Sequence, residues 1–233
     1  RVVALMEELG IEAEYYGHAS VGLLHIRPIF SLKDPGGIGL LRQIEERMGD
    51  MVREYGGAMS GEHGDGLARS EWIAKMFGPE LVAAFAEVKG AFDPRDTMNP
   101  GKIVRAPRMD ENLRYDAAYQ TPKVETYFSF NTEGGFQAAV EMCSGVGQCR
   151  KKLVGTMCPS YMATLDEEHT TRGRANALRA ALAGSLPDGL HSAEVHRVMD
   201  LCLECKGCKA ECPSNVDMAK LKYEFLDMYH KAR

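Results

Sequence analysis

The strongest constraint on this chain is a dense group of cysteines near its C-terminus. The run reads Cys202-Leu-Glu-Cys205-Lys-Gly-Cys208-Lys-Ala-Glu-Cys212-Pro213, which matches the spacing C-x2-C-x2-C-x3-C-P without a mismatch. Cysteines this close together, followed by proline, are typical of the ligands that wrap an iron-sulfur cubane. Zinc modules usually present two ligand pairs that lie farther apart, so zinc is the less favoured alternative. The run therefore predicts an electron-transfer function.

The fourth cysteine of such a run predicts a second cluster elsewhere in the chain. In proteins with two clusters, that cysteine ligates the other cluster. A second partial set is present upstream, at Cys143, Cys149 and Cys158, and Cys158 is again followed by proline. By this exchange, Cys158 joins the first three cysteines of the run around one complete [4Fe-4S] cluster. Cys212 then joins Cys143 and Cys149 around the second cluster.

The cysteine count limits what the second cluster can be. Two cubanes with cysteine ligands alone need more thiolates than the seven cysteines of this chain. The segment Cys143-Ser-Gly-Val146-Gly-Gln-Cys149 has valine at the middle ligand position, and valine cannot ligate iron. Three thiolates favour a [3Fe-4S] cluster, and the spacing resembles that in the iron-sulfur subunits of succinate dehydrogenase and fumarate reductase. The alternative is a [4Fe-4S] cluster with a non-cysteine ligand such as water, Ser144 or Gln148.

Two arginines follow the upstream cysteines, in the segment Thr171-Arg172-Gly173-Arg174. Net charge and hydrogen bonds around a cluster set its reduction potential, so arginines here would neutralise a reduced cluster and raise that potential. The alternative interpretation is a threonine-capped helix start with solvated arginines. The sequence alone leaves both interpretations open.

Composition argues against several kinds of partner. The net charge is -5 and the basic residues are scattered, so we expect no nucleic-acid binding. The longest apolar stretch, around residues 81–88, is much shorter than the roughly 18 residues of a membrane span. Dense ligand-like cysteine spacing indicates a reducing compartment. We therefore expect a cytoplasmic protein without a transmembrane segment, at most peripheral on the inner face of the membrane.

Hydrophobic periodicity predicts regular structure in both halves of the chain, separated by a weakly patterned connection. Helices are predicted over residues 1–10, 34–57, 70–77, 79–92, 135–142, 171–183, 191–201 and 216–230. Strands are predicted over residues 12–17, 22–30 and 58–60. The resulting domain prediction is a first domain over residues 1–106, a linker over 107–134 and a cysteine-rich domain over 135–233.

The first domain carries a second group of chemically active residues. His18 and His25 bracket a turn, so they can converge from adjacent strands. Two imidazoles with a carboxylate form a site for zinc, manganese or ferrous iron that leaves positions open for substrate. Each histidine viewed alone is more often structural. The glycines around Glu62 and His63 favour a site, because they let the backbone approach a ligand closely.

Two long regions of the chain resemble known families. Residues 15–105, with Ser60-Gly-Glu-His-Gly-Asp-Gly66 and Asn99-Pro-Gly-Lys-Ile-Val104, resemble the C-terminal part of the FAD-linked oxidases, which include D-lactate dehydrogenase, the glycolate oxidase flavin subunit and D-2-hydroxyglutarate dehydrogenase. Residues 136–233 resemble the dicluster domain fused behind the flavoprotein in large bacterial D-2-hydroxyacid dehydrogenases. The resemblance implies an α+β fold, in which an antiparallel sheet with covering helices precedes a mostly α-helical dicluster ferredoxin-like domain.

The resemblance also implies roles for individual residues. His18, His25 and Glu62 match divalent-metal ligands, for zinc or manganese, and His63 matches the catalytic base. The metal would polarise a 2-hydroxy acid, His63 would take the hydroxyl proton, and hydride would pass to the flavin. Asn99 and Lys102 are expected to line the FAD pocket. Arg27 and Lys33 either bind the substrate carboxylate or belong to a solvated face.

The family's FAD-binding domain precedes this region, so we expect the chain to be a C-terminal portion that is inactive alone. Its expected partners are a small 2-hydroxy acid, that flavin domain and an electron acceptor, either a quinone or a protein. An alternative is a stand-alone iron-sulfur electron-transfer subunit whose first domain serves only for docking.

Overall fold

The computed structural model describes residues 1–231, which fall into two compact units. Unit 1 covers residues 1–119 and unit 2 begins at residue 120. The division lies within the segment predicted as a linker, 107–134, and the described residues from 93 to 135 contain neither helix nor strand. The domain boundaries themselves stay a prediction.

Unit 1 is a two-stranded sheet with helices. Its elements are α1 (Val2–Glu8), β1 (Glu12–His18), β2 (Leu23–Ile29), α2 (Gly37–Glu54), α3 (Gly66–Arg69) and α4 (Ile73–Phe92). The strands are antiparallel. Leu5 and Met6 of α1 pack with Ile44 of α2, and Ala13 of β1 packs against this core. Because side chains alternate along a strand, the other face of the sheet carries His18 and His25.

Two local predictions differ from the structure of unit 1. The strand predicted over residues 58–60 is wrong, because this segment has no regular structure. It follows two glycines and is too short to form a ladder, and its Met59 side chain lies against Gly49 of α2 instead. The helices predicted over 70–77 and 79–92 form a short 3₁₀ turn and α4, with a kink at Gly78 before Pro79.

Unit 2 is mostly helical. Its elements are α5 (Phe136–Glu141), α6 (Pro159–Thr164), α7 (Thr171–Leu182), α8 (Ala193–Asp200), α9 (Gly207–Glu211) and α10 (Met218–Lys231). Helix α7 is central, since it packs against α5, α8 and α10 and contributes the fully buried Ala175 and Leu178 to the core. The predicted α+β class, with a small antiparallel sheet followed by a mostly helical unit, is confirmed.

The chain segment that leads into α5 is fastened to α10. The carboxylate of Glu224, which is buried, accepts hydrogen bonds from the backbone amides of Tyr127 (3.1 Å) and Phe128 (2.6 Å). Buried carboxylates need such donors because their desolvation is costly. Among residues 1–231, no helix has the combination of length and apolarity that crossing a membrane requires.

Candidate functional site

Three side chains of unit 1 form a compact group, here called the His-Glu site: His18, His25 and Glu62. The strand register pairs Tyr16 with His25 and His18 with Leu23, so the two histidines are diagonal neighbours on one sheet face. His25 Nε2 lies 3.0 Å from Glu62 Oε1, and His18 Nε2 lies 3.5 Å from Glu62 Oε2. One ligand atom from each residue lies within 4.8 Å of the others, which is the arrangement a metal ion needs.

The loop that carries Glu62 approaches β2 closely at Gly61. A Cβ atom on Gly61 would stand 2.3 Å from Leu23 Cδ1, so no larger residue fits without a shift. Glycine therefore lets this loop approach β2 without moving the Leu23 side chain. This contact places the Glu62 carboxylate beside the histidine-bearing face of the sheet.

The surroundings of His25 fit a bound cation. Its Nε2 atom is buried and, despite its proximity to Glu62, forms no hydrogen bond with the residues that the structure describes. Tyr16 stacks on its ring at 4.3 Å, and the guanidinium of Arg27 lies over Tyr16 and donates to its hydroxyl group (2.9 Å). A buried nitrogen aimed at a carboxylate, with its ring held in place, suits divalent metal coordination.

His63 lies at the open side of the His-Glu site. Its Nε2 atom is 2.8 Å from Glu62 Oε1, and its side chain is 76% exposed. The ring centroids of His63 and His25 are 6.0 Å apart. An imidazole next to the ligand carboxylate and open to solvent can exchange a proton with a small molecule bound there.

The remaining residues expected in unit 1 lie in different surroundings. Asn99 and Lys102 are exposed and are not among the described residues that line the cavity beside Glu62. They belong to the irregular segment after α4, which is fastened by Asp93 through the amides of residues 97 and 98. Lys33 Nζ lies 4.7 Å from each of the rings of Tyr115 and Tyr119.

Four cysteines of unit 2 line one cavity, here called the four-cysteine site: Cys158, Cys202, Cys205 and Cys208. Burial raises the pKa of the Cys202 and Cys208 thiols, because desolvation disfavours the thiolate. Thiolates become favourable in such a place when a metal centre binds them. The donor set therefore fits a metal centre with four sulfur ligands.

The other three cysteines line a separate cavity, here called the three-cysteine site: Cys143, Cys149 and Cys212. Val146 also lines it but remains 66% exposed. The Ser144 hydroxyl lies in the same cavity, 2.8 Å from the hydroxyl of Ser214. Three sulfur donors with hydroxyl groups nearby fit a cluster that lacks one cysteine ligand. Ser214 was not singled out from the sequence, although it follows Cys212 by two residues.

Helix α7 begins beside both cavities. Thr170 caps it by accepting from the amide of Gly173 (2.8 Å), and Thr171 lines both sites. The Arg172 amide donates to Cys149 Sγ and the Arg174 guanidinium to Cys158 Sγ, each at 3.4 Å. The threonine cap is thus present, but the interpretation of solvated arginines is wrong for Arg174, which is fully buried.

Comparison with known proteins gives one family match for the part of the chain that holds the His-Glu site and another for the part that holds the cysteine sites. Residues 1–103 match the family described as FAD linked oxidases, C-terminal domain, and residues 142–217 match the 4Fe-4S dicluster domain. The chain joins an FAD-linked oxidase C-terminal domain to a 4Fe-4S dicluster domain. The resemblance seen in the sequence motifs is thereby confirmed. No solved structure gave a significant match.

Two of the relatives named next match nearly the whole chain, and the third matches less than half of it. The D-2-hydroxyglutarate dehydrogenases of Pseudomonas putida and Escherichia coli are 33% and 30% identical to it over 97% of its length. A D-lactate dehydrogenase of Archaeoglobus fulgidus is 35% identical over 43% of the chain and 22% of its own length. The chain spans about a quarter of the length of the two former relatives, 26% of each.

One acidic residue fastens the loop before Cys158 in the dicluster domain. Glu211, at the end of α9, accepts from Lys151 Nζ and from the Thr156 amide, both at 2.6 Å. These donors, Lys151 first, lower the pKa of Glu211 to about 2. The contact ties the segment that carries Cys158 to the helix that carries Cys208.

A further cation of the oxidase domain was not singled out from the sequence. Arg69 lines the cavity beside Glu62, together with Arg27. It follows the glycine-rich loop by three residues, so its position next to Ser60-Gly-Glu-His-Gly-Asp-Gly66 was the available signal.

Proposed function

We propose that this chain is the C-terminal part of a flavin-dependent D-2-hydroxyacid dehydrogenase of the D-2-hydroxyglutarate class. The complete enzyme would oxidise the hydroxy acid to the 2-oxo acid. The electrons would pass from FAD through two iron-sulfur clusters in this part of the enzyme. The observation that carries the proposal is the convergence of the His18, His25 and Glu62 ligand atoms within 4.8 Å, in a chain that also holds two separate cysteine sites. The names of the two relatives that cover 97% of the chain support the substrate class.

In this proposal, His18, His25 and Glu62 hold zinc or manganese. A metal held there would supply a Lewis acid to polarise the hydroxyl and carboxylate oxygens of the substrate. Tyr16 supports the site by stacking on His25, which limits rotation of that ring.

His63 acts as the base. Its Nε2 atom lies beside the ligand carboxylate of Glu62 and on the open side of the site, where a bound hydroxyl group would stand. This nitrogen would accept the hydroxyl proton of the substrate, and a bound flavin would supply the hydride acceptor. Asn99 and Lys102 remain proposed contacts of FAD.

The substrate class follows from charge. Arg27 and Arg69 line the cavity beside Glu62, and a guanidinium is well suited to bind a carboxylate. Two cations beside the metal match a hydroxydiacid better than a hydroxymonoacid. The D-2-hydroxyglutarate class is therefore favoured over the D-lactate class.

For electron transfer, the four-cysteine site is proposed to hold a [4Fe-4S] cluster. The three-cysteine site is proposed to hold a [3Fe-4S] cluster, because it offers three sulfur ligands. The acceptor beyond the clusters would be a quinone or another protein.

The decisive experiment measures bound metal. The flavin-loaded full-length protein should contain zinc or manganese in addition to iron, and a His18→Ala/His25→Ala variant should lose that metal. A His63→Ala variant should keep the metal but lose dehydrogenase activity. His191→Ala, an exposed histidine of the dicluster domain, is the matched control and should change neither.

Absence of a divalent metal from the wild-type protein, with substrate and flavin present, would refute the catalytic proposal. The chain would then be better described as an electron-transfer subunit whose first domain serves for docking.

A further inference from the structure

We infer that Arg174 is a positioning residue of the four-cysteine site, and that its buried positive charge is balanced by an anionic cluster whose reduction potential it raises. The inference rests on the proposed function, because it requires that Cys158, Cys202, Cys205 and Cys208 hold a [4Fe-4S] cluster. Arg174 itself is not a ligand of the cluster in this proposal.

The hydrogen bonds of Arg174 are made to uncharged groups. Its Nε donates to the Val198 carbonyl (3.1 Å), Nη1 to the His169 carbonyl (2.7 Å) and Nη2 to the Ser160 hydroxyl (2.9 Å). The side chain is fully buried, with 0% exposure. Within residues 1–231 no carboxylate forms an ion pair with it. Glu168, the carboxylate whose pKa is lowered first by Arg197 and also by the charge of Arg174, is paired with Arg197 at 2.6 Å.

The other cations near the cysteine sites differ in this respect. Lys222, which donates to the Cys202 carbonyl (2.8 Å), is paired with Glu204 at 3.3 Å. Arg172 is paired with Glu167 at 2.7 Å. Arg174 is therefore the cation of this group that is fully buried without an ion pair.

A buried charge without an ion-pair partner is costly, so an anion beside Arg174 would stabilise the fold. The remaining donor contact of the guanidinium is Nη1 to Cys158 Sγ, at 3.4 Å. Neutral thiols cannot balance the charge. A cubane with four thiolate ligands is negatively charged and gains one more negative charge on one-electron reduction. The charge of Arg174 therefore stabilises the reduced form more than the oxidised form and raises the potential.

The backbone around Arg174 fixes this geometry. A Cβ on the adjacent Gly173 would stand 2.2 Å from the Glu167 carbonyl oxygen, so α7 begins in close contact with the preceding turn. Thr170 caps the helix at this point. The guanidinium is thereby held one turn inside α7 and beside Cys158.

The test is an EPR-monitored redox titration of the anaerobically purified, cluster-loaded full chain. Arg174→Gln removes the charge but keeps a donor group, and Arg174→Lys keeps the charge. For Arg174→Gln we expect the midpoint potential of the [4Fe-4S] cluster to fall. At the wild-type midpoint potential, the ratio of reduced to oxidised cluster should drop about tenfold, which corresponds to about 59 mV for one electron. Arg174→Lys should retain most of the potential, and the signal of the three-cysteine site should not shift.

Arg179→Gln is the matched control, since it makes the same change on the same helix at a residue that lines neither cavity; it should leave both potentials unchanged. An intact cluster in Arg174→Gln with the wild-type potential would overturn the inference. If Arg174→Gln loses the cluster, Arg174→Lys becomes the deciding variant. A cluster at the wild-type potential in Arg174→Lys would support the role of the charge. Loss of the cluster from Arg174→Lys as well would overturn the inference.

A wild-type chain without any [4Fe-4S] signal would instead refute the proposed cluster itself. The two failures are therefore distinguishable in the same experiment.

Discussion

At the scale of single residues, Val146 distinguishes the two cysteine sites. It lines the three-cysteine site at the position where the ligand pattern calls for a cysteine. We predict that Val146→Cys restores the fourth thiolate and converts a [3Fe-4S] cluster into a [4Fe-4S] cluster. Low-temperature EPR should then show loss of the oxidised-state signal of the three-iron cluster and a new signal on reduction.

Val154→Cys is the matched control for this change. Val154 has the same exposure as Val146, 66%, but does not line the three-cysteine site. It adds an eighth cysteine without adding a ligand, so the spectrum should remain that of the wild type. A wild-type protein that shows only signals of two cubanes would contradict the three-iron assignment.

Gly61 gives a second prediction at this scale. Gly61→Ala places a methyl group 2.3 Å from Leu23 Cδ1, so either the Leu23 side chain beside His18 or the loop that carries Glu62 has to move. We expect the affinity for zinc or manganese to fall about tenfold, measured by competition with a chelator. The double variant Gly61→Ala/Leu23→Ala should recover much of the loss, because it removes the clashing side chain.

Gly39→Ala serves as the control, because a Cβ at Gly39 meets no atom within 4 Å. Equal metal affinity in Gly61→Ala and the wild type would show that close approach at Gly61 does not position Glu62.

Sequence reasoning identified residues whose chemistry is tied to spacing and missed those defined by packing. The two cysteine groups follow from ligand spacing, whereas the pair His18 and His25 was indicated by the turn between them and by the family resemblance, and the structure brings each group together. The burial of Arg174 and the position of Arg69 depend on tertiary contacts that no local pattern encodes. Their roles, like those of the ligands, stay proposals.

At the scale of elements, the connection between α9 and the loop before Cys158 depends on a charge. The pKa of Glu211 is lowered from its ordinary value of about 4.5 to about 2 by Lys151 and by backbone amides. A carboxylate with a lowered folded-state pKa contributes stability that is present above its unfolded pKa and is lost as the pH falls toward the folded value.

We therefore predict that the free energy of unfolding of the wild-type chain declines between about pH 4.5 and pH 2 in part because Glu211 is protonated. Glu211→Gln should be less stable than the wild type at pH 7, and the difference should narrow as the pH falls through this window. Urea-induced unfolding at pH 7 and pH 3 measures both quantities. A difference that stays constant across the window would contradict the assigned role.

Periodicity located the longer helices well, because long apolar stripes leave few alternatives, but the short helices α3, α6 and α9 were not predicted. The central helix α7 was predicted over 171–183 and spans Thr171–Leu182. The strand predicted over 58–60 failed because three residues do not define a ladder, and their partners are set by tertiary contacts with α2.

At the scale of the whole molecule, the two domains divide the proposed reaction. Oxidation of a hydroxy acid to a 2-oxo acid releases two electrons, whereas each iron-sulfur cluster takes one. The two proposed clusters would therefore accept the electron pair from a single turnover. The fold class and the two domain families were predictable because each carries its own motif. The substrate was not, because its recognition depends on side chains that converge only in three dimensions.

The most direct test of this account is anaerobic addition of D-2-hydroxyglutarate to the flavin-loaded full-length protein, followed by freezing and EPR. We predict that substrate reduces both clusters, with two electrons delivered per molecule oxidised. His63→Ala should show no reduction by substrate, although dithionite should still reduce both clusters. Clusters that dithionite reduces, but that stay oxidised when the wild-type protein receives substrate, would contradict the account.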